Sequence, residues 1–488
     1  MHTTRSAFTS RSRLSRAAAA LAFAAIALGL AAGAASAREV EIVSQGEPPA
    51  TMPRYVHYFK TIQAAVDATR HGAFVLIEPG VYDEEVKVSK PHADIFIRGM
   101  NRNEVILDGQ GLKVPGGRNG IEIYKANNVW VENLTVRNFE REDLNGAGGN
   151  EIWWNGGEDS DKIGAHGWYG RYLTAYDTGL DGGYGIFTDN EIEGEWEDIY
   201  ASGFNDSGMY LGACPECRAR ITGAVMEHNA LGYSGSNSGG NLIIENSIFR
   251  QNTTGVAPNS ENPGDGPPPQ NGACEAQPYR GAHPKLPEFS STHIAHCTII
   301  RDNLITENDD LDLPANTSAA AAPWGAGIEL PGDYGDLVEH NQITDNPSDG
   351  VLAFEYPNPF PPTAETIYFQ NAGNEVSNNT FSGNGYRGGA FAGDVAFEGG
   401  LLGSKRSTQD CLSGNSFADA TFPADIEGTW GCQNETTPNP GGGLRFLVYL
   451  LALQYQSEHR KAVAPSPPPP QPTMPDPCEN VPVNPLCP

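Results

Sequence analysis

Between Ile221 and Val256 the chain repeats one pattern of apolar and polar positions twice. An apolar anchor (Ile221, Ile244) is followed five residues later by a second apolar residue (Met226, Phe249) and eight later by Asn (Asn229, Asn252). Gly232 and Gly255 come next, each followed by a residue able to point inward, Tyr233 and Val256. The phrase recurs at Ile300, Ile305 and Asn308, at Val338, Ile343 and Asn346, and at Val376, Phe381 and Asn384, with looser copies at Val131, Val136 and Asn138 and at Trp196, Ala201 and Asn205. Anchor spacings of 25, 23, 56, 38 and 38 residues from Trp196 onward give a base period of about 23 to 25, lengthened by insertions. Self-similarity at this scale means a solenoid.

Within each copy the alternation is the two-residue period of strands, broken by Asn and Gly. A propeller blade needs a longer period, and the L-x-x-L-x-L run of leucine-rich repeats is absent. A coil of three short strands, stacked on the next at about 4.8 Å, fits. The recurring Asn is expected at a left-handed bend, its amides forming a ladder from Asn229 through Asn252, Asn308 and Asn346 to Asn384. The position after each anchor then faces outward and reads Glu132, Glu197, Thr222, Glu245, Arg301, Glu339. Glu197 and Glu245, two coils apart, fall at about 9–10 Å, near the spacing of an inverting acid–base pair, but a solvated acidic face is the simpler reading.

Residues 58–72 carry a helical stripe and are expected to cover the open N-terminal end of a solenoid that runs over 58–434, after a lead-in at 38–57. Stretches 140–171, 258–296, 309–325 and 356–365 read as insertions. Residues 435–464 hold a second helical segment, too short in its apolar half to span a bilayer and so expected to be a C-terminal lid. The proline-rich tail 465–488 reads as an extended, mobile spacer.

The first 37 residues change the picture: Arg5, Arg11, Arg13 and Arg16, the apolar run Ala17–Ala32, then Ala35-Ser36-Ala37 form a secretory signal with cleavage expected after Ala37. Its removal leaves 27 basic against 60 acidic residues, a net charge of −33. Such a surface disfavours nucleic acid and anionic membranes as partners, and also anionic polysaccharide unless a cation or a local basic patch intervenes. Eight Cys in an exported chain imply four disulfides, expected between sequence neighbours: Cys214–Cys217, Cys274–Cys297, Cys411–Cys432 and Cys478–Cys487. A monomer is expected.

The repeat, with the opening TIQAAVDA, IEPGVYDEEVKV, IFIRG and VILDGQG, resembles the right-handed parallel β-helix proteins of the pectin-lyase-like superfamily over roughly Tyr58 to Gly400. The opening is also similar to that of pectinesterases and NosD-type accessory proteins, but few Met and scattered His make metal delivery the weakest expectation. The resemblance implies an all-β solenoid that hosts lyases, hydrolases, esterases, epimerases and non-enzymes. The clustered Asp and G-H-G of its hydrolases are absent. A lyase route implies Ca²⁺ or Arg against a uronate and a Lys or Arg base, for which Lys162, Arg171 and Arg218 are available. Tyr184 to Asp189 (YGIFTD) resembles the Tyr-Gly-Phe-Asp-Pro-His signature of alginate C5-epimerases, without its Pro and His and with the Asp displaced.

The physical candidate for a site is the aromatic-rich stretch 140–171: Trp153, Trp154, Trp168 and Tyr169, with Tyr210, for stacking on sugar rings, and His166, Arg171, Asp177 and Asp189 for chemistry. His293 and His296 lack a third ligand and read as structural. The expectation is an exported protein acting on extracellular polysaccharide by elimination, epimerisation or hydrolysis; the alternative is a non-catalytic carbohydrate-binding β-helix.

Overall fold

The computed structural model describes residues 38–110, 118–141, 148–157, 162–179, 181–260, 297–313, 322–357, 368–369, 371–398, 410–434, 441–459, 461 and 463–488. The expected signal, Cys274, His293 and His296 lie outside them. Strands Ala219–Thr222, Val225–Glu227 and Leu231–Ser236 make one rung, and Leu242–Glu245, Ile248–Arg250 and Thr254–Asn259 the next. The rungs stack in parallel into three faces. The chain is a right-handed parallel β-helix, the hand that parallel crossovers take.

Register follows the repeat. Ile221, Ile244, Ile300, Val338, Val376 and Leu412 pair in one file on the first face. Met226, Phe249, Ile305, Ile343 and Phe381 do so on the second, and Tyr233, Val256, Ile328, Val351 and Val395 on the third. All are buried in one continuous core. The column of glycines that opens the third face has a steric cause. A Cβ on Gly232 would lie 2.4 Å from the Gly255 carbonyl, and one on Gly255 would lie 2.4 Å from that of Gly327.

The Asn ladder is continuous. Amide-to-amide bonds of 3.1, 3.0, 3.0 and 3.0 Å join Asn229, Asn252, Asn308, Asn346 and Asn384, and Asn384 ends on Asp394 at 2.9 Å. Yet these Asn are not the left-handed residues. That conformation belongs to the residue before each: His228 (φ 56°), Gln251 (54°), Glu307 (52°), Asp345 (56°) and Gly383 (70°). The bend and the ladder are separate positions, one outward and strained, one inward and bonded. A second ladder, three residues after the anchors, runs through Asn303, Asn341, Asn379 and Asn415 to Glu427.

Four expectations need correction. Residues 140–171 are not a lateral excursion: Asn150–Asn155 is a third-face strand, and Ala165–Tyr176 supplies strands to both other faces. Helix α1 is shorter than 58–72, spanning Ile62–Ala68, because Val56–Phe59 pairs as a strand. Thr61 caps it, and the Glu84 carboxylate accepts from the backbone of Ile62 and Gln63 at its positive end. Helix α2, Ile426–Trp430, buries Ile426 and Trp430 in the core and takes the role of C-terminal plug. Helix α3, Gly443–Glu458, instead lies along the outside of the third face, packing Phe446, Tyr449, Leu450 and Leu453 on Ala326, Leu352, Phe354 and Phe391. The tail is bonded to the solenoid from Gln471 onward. Arg98 and Arg102, both nearly inaccessible, donate to the carbonyls of Pro477, Glu479 and Pro472. The Cys478–Cys487 loop packs Val481 and Leu486 on Val40, Val56 and Phe74. Cys214–Cys217 and Cys411–Cys432 are also bonded.

Many carboxyls are buried. Burial pushes Asp349 up to about 8, against the hydrogen bond from Tyr449. Burial likewise pushes Asp336 to about 7, and Glu151, Glu191, Glu329 and Asp333 well above the usual range. Such groups hold a proton in the folded chain where the unfolded chain has lost it. Their stabilisation is full below the unfolded carboxylate range, about pH 4, and is lost as pH rises through the folded values. Glu245, lowered because Arg301 and Arg220 outweigh its burial, acts in the opposite sense but stands alone among these. The melting temperature is therefore expected to fall between pH 5 and about 8, with Asp349→Asn flattening part of the slope. A midpoint that is constant or rises over that interval would contradict the assignment.

Candidate functional site

Neighbouring residues on a strand point to opposite sides, and this divides the aromatic stretch. Trp154 and Trp168 point inward and are fully buried, Trp154 donating its indole N–H to the Val129 carbonyl at 3.2 Å. Tyr169 is outward on the first face, stacked on Trp130 at 4.2 Å. Arg171 lies on that face too, bonded to Glu132 at 2.5 Å and Glu479 at 3.1 Å. His166 is exposed, and its backbone N–H donates to Asn127. Asp177 is buried in a turn, where its carboxylate accepts from Gly179 and Gly182. Burial, with Glu140 and Asp181, pushes it up to about 7. On the outer third face Trp153 and Asp189 meet through a hydrogen bond, and Phe187 lies between Trp153 and Tyr210.

The outward column after the anchors is in single file, but it is an ion-pair ladder and not a lone carboxylate pair. Glu132 bridges Arg98 and Arg171, and Glu245 bridges Arg220 and Arg301 at 2.6 and 2.5 Å. Glu197 is shifted upward by burial and by Asp198.

On the third face Glu122, Trp153, Phe187 and Tyr210 occupy one column on successive rungs. The Trp153 and Phe187 rings are parallel to within 3° at 5.1 Å. Tyr184 stacks on Phe187 at 4.7 Å, and Tyr210 meets both edge-on. The Trp153 indole donates to Asp189 at 2.9 Å, which fixes its plane. Three cations border this strip: Arg141 over the Tyr184 ring, and Lys87 and Lys125 over Tyr124.

The second face carries a groove of about 580 Å³. Its floor is Tyr200, Ser202, Glu227, His228 and Gln251, its wall Asp309–Leu313, and its remaining side Val463–Pro469 of the tail. Tyr200 donates to Glu227 at 2.6 Å, and Arg250 pairs with the other oxygen of that carboxylate at 2.6 Å. His228 Nδ1 lies 3.0 Å from Asp310, a contact that shifts the imidazole upward. Burial and Glu227 raise the Tyr200 hydroxyl. An oriented phenol and imidazole beside carboxylates can hold and transfer protons. Sequence reading missed this site, although a signal existed. The positions six after each anchor, Ser202, Glu227, Arg250 and Thr306, form a second outward file. Among the described residues no group of three or more His, Cys, Asp or Glu is arranged to hold a metal ion, so no step is assigned to the Ca²⁺ that the resemblance implied.

With fold and surfaces established, the chain is defined as a right-handed parallel β-helix carrying an aromatic outer strip and a polar groove. No protein-family profile matches the sequence, and no curated protein sequence matches it. Among solved structures it is similar to the A-module of mannuronan C-5 epimerase AlgE4 from Azotobacter vinelandii, at 14% identity over 73% of this chain and 90% of that one, with a TM-score of 0.45. It is also similar to an alginate lyase from Paenibacillus (15%, 74% and 93%, 0.37) and to pectate lyase Pel9A (12%, 78% and 78%, 0.37). At these identities the likeness is one of architecture.

Proposed function

We propose that this is an exported protein that engages polysaccharide along its third face. The observation that carries the reading is the Trp153–Phe187 pair: two partly exposed rings on adjacent rungs, parallel and stacked on each other, with Tyr184 against Phe187, that together offer a continuous apolar strip beside polar tips. Rungs repeat at about 4.8 Å, close to the length of one pyranose, so consecutive sugars can lie over consecutive rungs. Arg141 and Lys125 supply positive charge at the edge of the strip, Lys87 being paired with Glu122, on a chain of net charge −29, which lets an acidic sugar approach locally. The signal-like pattern of residues 1–37 and the disulfides support an extracellular setting, and a monomer without nucleic-acid or membrane partners fits the same reading. The described helices include none long and apolar enough to cross a membrane. The groove favours catalysis over passive binding, because Tyr200 and His228 are proton-transfer groups held by Glu227 and Asp310.

A polysaccharide array read both for retention and for new unsaturated or reducing ends tests this. Trp153→Ala is expected to weaken retention about tenfold, and Tyr200→Phe to remove product ends while leaving retention intact. Retention without product on every glycan would eliminate the catalytic reading and leave the binding one. Retention unaffected by Trp153→Ala would eliminate the third-face site.

A further inference from the structure

The tail is pinned at both ends of its path and unbonded between them. The Val463 backbone N–H donates to the Asp312 carbonyl at 2.6 Å. Eight residues on, Gln471 and Asn103 exchange two hydrogen bonds of 2.9 and 2.8 Å, and Thr473 reaches Asn133 at 2.8 Å. The wall residue Asp310 is tied to the Asn252 turn, so this stretch runs back along the solenoid axis from the Asn252 rung to that of Asn133. Among the described residues, 464–470 make no hydrogen bond to the solenoid. Five of the seven are Pro, which cannot donate, and the segment is extended and largely exposed. Beneath it lies the groove of about 580 Å³, within the range of ligand sites.

A chain crossing successive rungs in extended form takes the course that a linear polymer would take over the same face. Prolines fill that course while leaving the polar floor untouched: the bonds of Tyr200, Glu227 and His228 run to Glu227, Arg250 and Asp310, not to the tail. A structural strap would be expected to bond to its floor throughout, as the tail does from Gln471 onward. We propose that residues 464–470 are a tethered competitor, lying in the path of a linear glycan over the second face and displaced when that glycan binds. The proposal rests on the reading that the protein engages polysaccharide. It adds a second path, whose occupancy is set by the protein's own tail.

Two altered chains test it. In one, residues 466–469 are replaced by a site-specific protease sequence and cut, with 471–488 verified to remain bound. In the other, a flexible Gly-Ser insert after Pro468 slackens the strap without a cut. Labelled hexasaccharides of one neutral, one uronate and one amino-sugar polymer serve as probes, each also measured on a Trp153→Ala background to silence the third face. Affinity for at least one probe is expected to rise tenfold or more in both altered chains, and the gain to disappear on adding Glu227→Gln. If the intact protein binds a probe through Trp153 and neither altered chain gains, the competitor is overturned while the glycan reading stands. If no chain binds any probe, both fall.

Discussion

Glu132→Ala is expected to destabilise the protein by about 3–5 kcal/mol, read as a shift of the urea midpoint at unchanged slope. The carboxylate is fully buried and accepts from Arg98 at 2.6 Å and Arg171 at 2.5 Å. Its removal leaves the Arg98 guanidinium, 2% exposed, with no counter-charge, facing the neutral carbonyls of Pro477 and Glu479 and the Phe74 ring. Uncompensated buried charge is the costly outcome, whatever the intact pair contributes. Arg250→Ala, at a pair whose Arg is 44% exposed, should cost far less. A loss below about 1 kcal/mol for Glu132→Ala would mean that the first-face ladder behaves as a surface feature.

The second large effect is expected at Asn252. Its oxygen accepts from the backbone and the side chain of Asn229, each at 3.1 Å, and its amide donates to Asn308 and Met226 at 3.0 Å. Asn252→Ala takes the acceptor from the buried Asn229 backbone N–H and a donor from the Met226 carbonyl, at about 1–3 kcal/mol each, while the Asn229 amide keeps the carbonyls of Ala201 and Glu227, so a loss of about 3 kcal/mol is expected. One residue earlier the sign changes. Gln251 sits at φ 54°, and Gln251→Gly trades left-handed strain for chain entropy with a net effect near zero or favourable. Paired denaturation curves check both. Equal losses at the two positions would refute the separation of bend from ladder.

That separation marks the limit of what the chain disclosed by itself. The Asn ladder was legible because its spacing survives every insertion, and the inward files at Ile221, Met226 and Tyr233 followed from it. Which residue of the Asn turn takes the positive φ was not, since Asn suits both roles. The aromatic cluster around Trp153 reads as one patch only if strand alternation is ignored; applied, it sends Trp154 and Trp168 to the core and Tyr169 to another face. The groove draws its wall from Asp309–Leu313 and its remaining side from Val463–Pro469, at least 150 positions further on, a convergence no local pattern encodes. Composition marked the tail as extended. It could not show that Arg98 and Arg102 present buried donors to its carbonyls.

Solenoids ordinarily couple only adjacent repeats, so each can form as soon as its neighbour exists. Here Val481 and Leu486 complete the apolar cluster around Val40, Val56 and Phe74, residues made more than 400 positions earlier. During synthesis that cluster therefore stays wet until the Cys478–Cys487 segment emerges and doubles back. A chain cut before Cys478 carries its lesion beside Val40 and Phe74, at the other end of the solenoid.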